Sequence, residues 1–190
     1  MPILVAYASK HGATRGMAER VGERLAADGR EVRVLPFSNV ATPAAYSAFV
    51  LGSAVYLGKW RKEAGDFVRQ NSALLATRPV WLFCSGPLGT ATMDEQGRDV
   101  LEKSRPAEFA EFGKSVRPRD LTVFYGALDP HQRDGASWLL RRLPAGRKLL
   151  PEGDFRDWDA IDAWAGRIAR DLPAPTPSPS LPEVAPAFSQ

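Results

Sequence analysis

The chain alternates between short, wholly apolar segments and longer segments with helical periodicity. Residues 3–8 are the first apolar run, which is typical of a strand that is buried on both faces of a sheet. Residues 14–27 behave differently. Met17, Val21 and Leu25 recur every fourth position among charged residues, which predicts an amphipathic helix.

The same alternation continues to residue 172. Further strands are predicted at residues 31–37, 48–52, 79–84 and 121–125, and further helices at 63–75 and 159–172. Strands that alternate with helices predict the α/β class, with a parallel sheet covered by helices on both faces. Ligands of such sheets bind beyond the carboxyl ends of the strands, where the strand order reverses.

Composition limits the classes of site that the chain can carry. Hydrophobic residues make up 44% of the 190 residues, enough for a substantial core. The one cysteine, Cys84, excludes an intrachain disulfide, and only His11 and His131 accompany it, so we expect no metal site. We see no signal-peptide pattern and no apolar run near the roughly 20 residues of a membrane span, so we expect a cytoplasmic protein.

The charge is mildly basic and local. The net charge of +3 gives no indication of a nucleic-acid partner, and the cations concentrate in residues 103–150, which we interpret as a basic insertion. Within it, Trp138 and three leucines stand beside Arg141 and Arg142, a pattern that suits peripheral contact with the inner face of a membrane. The alternative is a helix packed on the sheet with its cations in water. Residues 173–190 are rich in proline and predicted to be disordered, after a single domain over residues 1–172.

The loop between the first strand and the first helix has the residue types of an anion site. It contains two hydroxyls, a cation, a histidine and a glycine, in the order Ser9, Lys10, His11, Gly12, Ala13, Thr14. The N-terminus of a helix presents unpaired N–H groups and a positive dipole end, so these residues are candidates for binding a phosphate. The alternative is that Ser9 or Thr14 only caps the helix. The Gly-rich patterns of P-loop and dinucleotide-binding proteins do not occur in the chain.

The pattern S-x-x-G-x-T between a strand and a helix resembles the FMN phosphate loop of flavodoxins. The longer string from Tyr7 to Arg15 resembles the branch that contains the menaquinone-dependent protoporphyrinogen oxidases, and so do residues 51–58, 124–129 and 154–158. This resemblance spans residues 3–172. It implies a flavodoxin-like, doubly wound sheet of five parallel strands in the order 2-1-3-4-5, with FMN as the cofactor.

The resemblance also implies which residues surround the flavin. Phosphate contacts fall to residues 9–14, although typical flavodoxins favour hydroxyls where Lys10 and His11 stand. One wall of the ring site is expected to be formed by Ser53, Ala54, Val55, Tyr56, Leu57 and Gly58. The other wall is expected to be formed by Ser85, Gly86, Pro87, Leu88 and Gly89.

Several side chains near these segments have two interpretations. Tyr56 or Trp60 is able to stack on a flat ring system, or else is an ordinary core or surface aromatic residue. We interpret Cys84 as a buried, inert thiol and His131 as a surface loop residue. The acidic residues 94, 95 and 99 most simply form a solvated face.

The leading functional hypothesis is an FMN-dependent oxidoreductase like the protoporphyrinogen oxidases of porphyrin biosynthesis. Electrons would pass from a bulky reduced substrate through the flavin to a quinone or another acceptor. No catalytic acid or base stands out, and Arg133 and Arg141 are candidates for pairing with substrate carboxylates. The alternatives are a flavodoxin-type electron carrier with a redox partner protein, or a flavin-free interaction or regulatory domain.

Overall fold

The computed structural model describes residues 1–128 and 151–174. Its strands are β1 (Ile3–Ala8), β2 (Val32–Pro36), β3 (Ala48–Tyr56), β4 (Lys59–Trp60), β5 (Val80–Ser85), β6 (Asp120–Phe124), β7 (Ala127–Leu128) and β8 (Gly153–Asp154). Its helices are α1 (Ala13–Ala27), α2 (Lys62–Gln70), α3 (Ser72–Leu75), α4 (Val100–Lys103), α5 (Glu108–Ser115) and α6 (Trp158–Asp171). Short 3-10 turns cover Phe37–Asn39 and Pro43–Ala45.

Five parallel strands form the main sheet in the order β2-β1-β3-β5-β6. The order 2-1-3-4-5 is therefore confirmed, because β4 is a two-residue strand that pairs antiparallel with the end of β3 and lies off this path. The strand order reverses between β1 and β3, which lie side by side with Ile3 opposite Ala48. The carboxyl ends of these two strands therefore flank the expected ligand crevice.

The end of β3 differs from the sequence expectation. The strand was expected to stop at residue 52, but it continues to Tyr56 and turns back through Leu57 and Gly58 into β4. Both turn residues have positive φ angles, 51° and 73°, as a two-residue hairpin turn requires. The sequence did not reveal this turn, because Leu57 stands where Asn or Asp is usual before the glycine.

The expected helix over residues 63–75 is divided at Asn71. The side-chain amide of Asn71 donates to the Phe67 carbonyl over 2.8 Å. The backbone of Asn71 is no longer helical, with φ −107° and ψ 12°. Asparagine offers the backbone this local alternative to a continuous helix, which is why α2 ends there and α3 begins after it.

Alternate residues of each central strand pack into different cores on the two faces of the sheet. In β1, Leu4 joins a cluster with residues of α2 and α5, whereas Val5 joins a cluster with residues of α1 and α6. Both side chains are fully buried. The continuous apolar strands of the sequence follow from this two-sided burial.

Helices α1 and α6 are also joined by charge. The Arg20 guanidinium donates to both carboxylate oxygens of Asp162 over 2.7 and 2.6 Å.

None of the helices in residues 1–128 and 151–174 combines the length and apolar character needed to cross a bilayer. The predictions for His131, Arg133, Trp138, Arg141, Arg142 and the tail beyond residue 174 concern residues outside those that the structure describes.

Candidate functional site

A hydrogen bond within the loop after β1 holds its shape and leaves the first N–H groups of α1 without a backbone partner. The Ser9 hydroxyl accepts a hydrogen bond from the Gly12 N–H over 3.0 Å, and Gly12 has a φ of 87°. The first helical bond of α1 runs from the Gly16 N–H to the Gly12 carbonyl, so the N–H groups of residues 13–15 precede the helical ladder. No described side chain caps the helix. These N–H groups and the dipole of α1 are available to an anion.

Thr14 is not a cap either. Its side chain is fully buried, and its hydroxyl lies 2.7 Å from the hydroxyl of Ser85 at the end of β5. The bond connects the first loop to the strand two places away in the sheet. It therefore fixes the distance between the anion-binding end of the site and one of its walls.

A cavity of about 510 Å³ opens at the carboxyl edge of the sheet, within the range typical of small-molecule sites. It contains most of the residues that the sequence singled out. They are Ser9, Lys10, His11, Ala13, Thr14, Ala54, Val55, Tyr56, Leu57, Ser85, Gly86, Pro87 and Leu88. One end of this main cavity is formed by the start of α1, and its sides are largely apolar.

Four of the expected residues shape the cavity without lining it. The Ser53 hydroxyl is buried, donates to the Ala54 carbonyl and accepts from the Arg61 N–H over 3.0 Å, so it anchors the hairpin. The Gly58 carbonyl accepts from the Ala107 N–H over 3.1 Å. Gly12 and Gly89 both have positive φ angles and serve the turns of their loops.

A third segment lines the main cavity and was not predicted as part of the site. It consists of Gly126, Ala127 and Leu128, which follow β6. The Gly126 N–H donates to the Pro87 carbonyl over 2.9 Å, so this loop packs directly on the second wall. The sequence could have indicated this segment by its position. It follows a parallel strand beside β5 and therefore lies at the same carboxyl edge of the sheet.

Trp60 belongs to the core, which decides between its two interpretations in favour of an ordinary core aromatic residue. Its side chain is buried, and its ring meets those of Phe109 and Phe112 edge to face, with centroids 5.8 and 5.5 Å apart. It does not line the main cavity. Tyr56 does line it and is half exposed, so the structure is consistent with the stacking interpretation for Tyr56.

Two other expectations concern titratable groups. Cys84 is fully buried, as expected, and burial raises the pKa of its thiol far above neutrality, which keeps it protonated and unreactive. Glu95 and Asp99 are exposed, as expected, whereas the Asp94 side chain is half-buried and hydrogen-bonded within its own loop. Hydrogen bonds, first of all from the Arg98 backbone N–H, hold the pKa of its carboxyl well below the usual range.

A family model described as a flavodoxin domain matches residues 4–134. The chain belongs to the flavodoxin-domain family. Flavodoxin 2 from Bacillus cereus is 20% identical, with a TM-score of 0.54 over 90% of this chain and 100% of that one. A flavodoxin from Streptococcus pneumoniae TIGR4 is 15% identical, with a TM-score of 0.55 over 90% and 100%. These likenesses show the flavodoxin fold. No curated protein sequence matches the chain.

The cofactor of this flavodoxin domain is FMN, and the main cavity fits it. FMN needs a site for a phosphate and a flat, apolar space for its ring system. The open N-terminus of α1 with Lys10 beside it suits the phosphate, and the apolar walls beyond it suit the ring.

Proposed function

We propose that the protein is an FMN-dependent oxidoreductase of the protoporphyrinogen oxidase-like branch, which passes electrons from a bulky reduced substrate to a quinone or other acceptor. The supporting observation is the main cavity, which joins an anion-binding helix terminus to apolar walls at the strand-order reversal. When bound, FMN supplies the redox chemistry by accepting a hydride or electrons, and the protein supplies binding and orientation.

In this proposal the first loop binds the FMN phosphate. The backbone N–H groups of residues 13–15 donate to it, Ser9 and Gly12 shape the loop, and Lys10 and His11 add donors or charge. Thr14 acts through its bond to Ser85. This bond sets the distance from the phosphate end of the cavity to the wall formed by residues 85–88, here called the β5 wall.

The ring system would lie between the β5 wall and the wall formed by residues 54–57, here called the β3 wall. Tyr56 would stack against it from one side, with Val55 and Leu57 beside it. Pro87 and Leu88 cover the other side, and the Gly126–Leu128 segment closes the edge. With FMN bound, these apolar walls would keep water away from the ring.

In this proposal the basic insertion, residues 103–150, binds the substrate. Arg133 and Arg141, outside the described residues, pair with substrate carboxylates, and the surrounding segment contacts an anionic membrane surface where a quinone acceptor resides. An Arg133→Ala/Arg141→Ala variant is then expected to lose activity towards a carboxylated porphyrinogen. Unchanged activity of that variant would contradict this part of the proposal.

The first test is spectroscopic. Protein purified without added cofactor is expected to show a flavin absorption spectrum, and the released chromophore is expected to be FMN in about one equivalent. A colourless protein that also fails to bind added FMN contradicts the proposal and favours a flavin-free interaction domain. The FMN-loaded protein is then mixed anaerobically with protoporphyrinogen IX, and bleaching of the flavin followed by reoxidation with menadione is expected.

One observation favours a second candidate, an electron carrier without its own substrate. Leu57 is fully exposed and Tyr56 half exposed at the rim of the main cavity, and exposed apolar side chains of this kind suit a transient contact with a redox partner protein. A carrier would show the FMN spectrum but no bleaching with a small reduced substrate. It would be bleached when a reductase protein with its own electron donor is added.

A further inference from the structure

A second cavity of about 460 Å³ adjoins the main cavity. We name it the side cleft. The two cavities share Val55, Leu57, Gly86 and Pro87, so the tip of the β3–β4 hairpin and the start of the loop after β5 separate them. A ligand in the side cleft would therefore lie next to whatever occupies the main cavity.

Among the described residues, the charged side chains on the far side of the side cleft are Asp94, Lys103 and Arg105, and the Asp94 carboxylate is already hydrogen-bonded within the protein. Asp94 accepts hydrogen bonds from the N–H groups of Gln96 and Arg98, from the Arg98 guanidinium and from the Lys103 ammonium, over 2.9 to 3.0 Å. Its side chain is only 14% exposed. Asp94 therefore has little acceptor capacity left for a ligand cation.

The cations of the side cleft, in contrast, keep donors to spare. Lys103 has three N–H donors and bonds Asp94, and Arg105 has five and pairs with Glu102 over 2.8 Å. The hydroxyl of Ser104 is used internally, since it donates to the Val100 carbonyl over 2.7 Å. The side cleft thus combines surplus N–H donors with apolar side chains.

Leu57 is the most exposed of those apolar side chains. It lines both cavities, is fully exposed and has a φ of 51°, a left-handed conformation that is unfavourable for a non-glycine residue. Strained backbone of this kind concentrates at ligand sites. The hairpin therefore holds an apolar side chain over the boundary between the two cavities.

We propose that the side cleft is a second ligand site, which binds an aromatic anion. Val55, Leu57 and Pro87 contact the ring, and Arg105, assisted by Lys103, binds the anionic group. This second site depends on the proposed function in one respect only, which is that the neighbouring main cavity holds a flavin.

The test uses FMN-loaded, full-length protein and two redox-inert probes that share a ring system, naphthalene-2-sulfonate and 2-naphthalenemethanol. Calorimetric titration is expected to show the sulfonate binding about tenfold more tightly than the neutral alcohol. The substitution Arg105→Met keeps the apolar stem and removes the charge, so it should weaken sulfonate binding about tenfold and leave alcohol binding within about twofold. Arg105→Lys should restore part of the loss.

Arg33→Met is the matched control, because Arg33 is an exposed arginine on β2 that pairs with Glu31 over 3.6 Å, away from both cavities. It should change neither affinity. Equal binding of the two probes, no binding of either, or equal effects of the Arg105 and Arg33 variants would overturn the proposal. So would loss of FMN from the Arg105 variant, which would make the side cleft part of the flavin site. If the wild-type protein binds no FMN, the proposed function fails, but the titrations still decide the side cleft in the flavin-free protein.

Discussion

The hydroxyl groups of Thr14 and Ser85 lie 2.7 Å apart and are both buried, although 71 positions separate them in the chain. One donates to the other, and this bond joins the start of α1 to the end of β5. The two hydroxyls thereby connect the phosphate end of the proposed flavin site to one wall of the ring site. Each needs the other, because a buried hydroxyl without a partner is costly.

Removing both hydroxyls should destabilise the protein by less than the two single removals added together. Thr14→Val and Ser85→Ala are each expected to lower the free energy of unfolding by about 1–3 kcal/mol, since each leaves the other hydroxyl unpaired. The double variant should lose less than the sum of the two. Urea unfolding of all four proteins measures the coupling, and strict additivity would show that the bond contributes nothing.

Gly12 is required for its backbone conformation and not for space. A Cβ at this position meets nothing within 4 Å, but the φ of 87° disfavours any other residue. Gly12→Ala is therefore expected to cost about 1–2 kcal/mol of stability and to weaken FMN binding more than riboflavin binding, because the phosphate loop moves.

The matched control for Gly12 is Gly113→Ala, within α5. Its Cβ also meets nothing within 4 Å, and alanine favours a helix over glycine by about 1 kcal/mol. This variant should be as stable as the wild type or more so, with unchanged FMN affinity. Equal destabilisation by both substitutions would contradict the conformational explanation.

Tyr56 and Trp60 should differ sharply in their effect on the flavin. Tyr56→Ala is expected to shift the flavin absorption bands and weaken FMN binding, since Tyr56 lines the main cavity. Trp60→Phe should leave both unchanged and cost about 1–2 kcal/mol of stability, because the smaller ring leaves a cavity beside Phe109 and Phe112. A spectral shift in the Trp60 variant alone would reverse this assignment.

Gly52 leaves no room for a side chain. A Cβ there would overlap the ring of Phe83, which is itself held between Phe124 and Trp164. Gly52→Ala is expected to cost about 1–3 kcal/mol in urea unfolding, and a second substitution, Phe83→Leu, should cost less in that background than in the wild type. An unperturbed Gly52→Ala protein would show that the ring can move.

The ion pair between Arg20 and Asp162 should make stability depend on pH. The hydrogen bonds from Arg20 lower the pKa of Asp162 in the folded protein, so its contribution is present above the unfolded value of about 3.9 and is lost as pH falls through the folded value. Asp162→Asn should therefore lower the urea midpoint at pH 7, and the difference from wild type should shrink below pH 4.

Glu23→Gln is the control for this pH dependence. Glu23 lies on the same helix, 4.0 Å from Arg20, and its side chain is 70% exposed, so solvent screens the pair. Its variant should match the wild type at both pH values. A constant difference for Asp162→Asn across the pH range would rule out the ion pair as its cause.

The sequence by itself determined the five parallel strands, the helices α1 and α6, and the edge of the sheet at which the loops after β1, β3 and β5 meet. Each of these depends on local pattern. Apolar runs such as residues 3–8 indicate strands buried on both faces, and parallel strands bring the loops after β1, β3 and β5 to one edge of the sheet. The position of most site residues follows from that geometry alone.

The tertiary structure decided what depends on distant partners. Trp60 joins the core because α5 places Phe109 and Phe112 against it, and the Gly126–Leu128 segment joins the site because it packs on Pro87. The hairpin turn at Leu57 pays a local conformational cost that the bond from the Ala107 N–H to the Gly58 carbonyl helps to offset. Such contacts have no signature in local periodicity, because the residues that make them meet only after the sheet has formed.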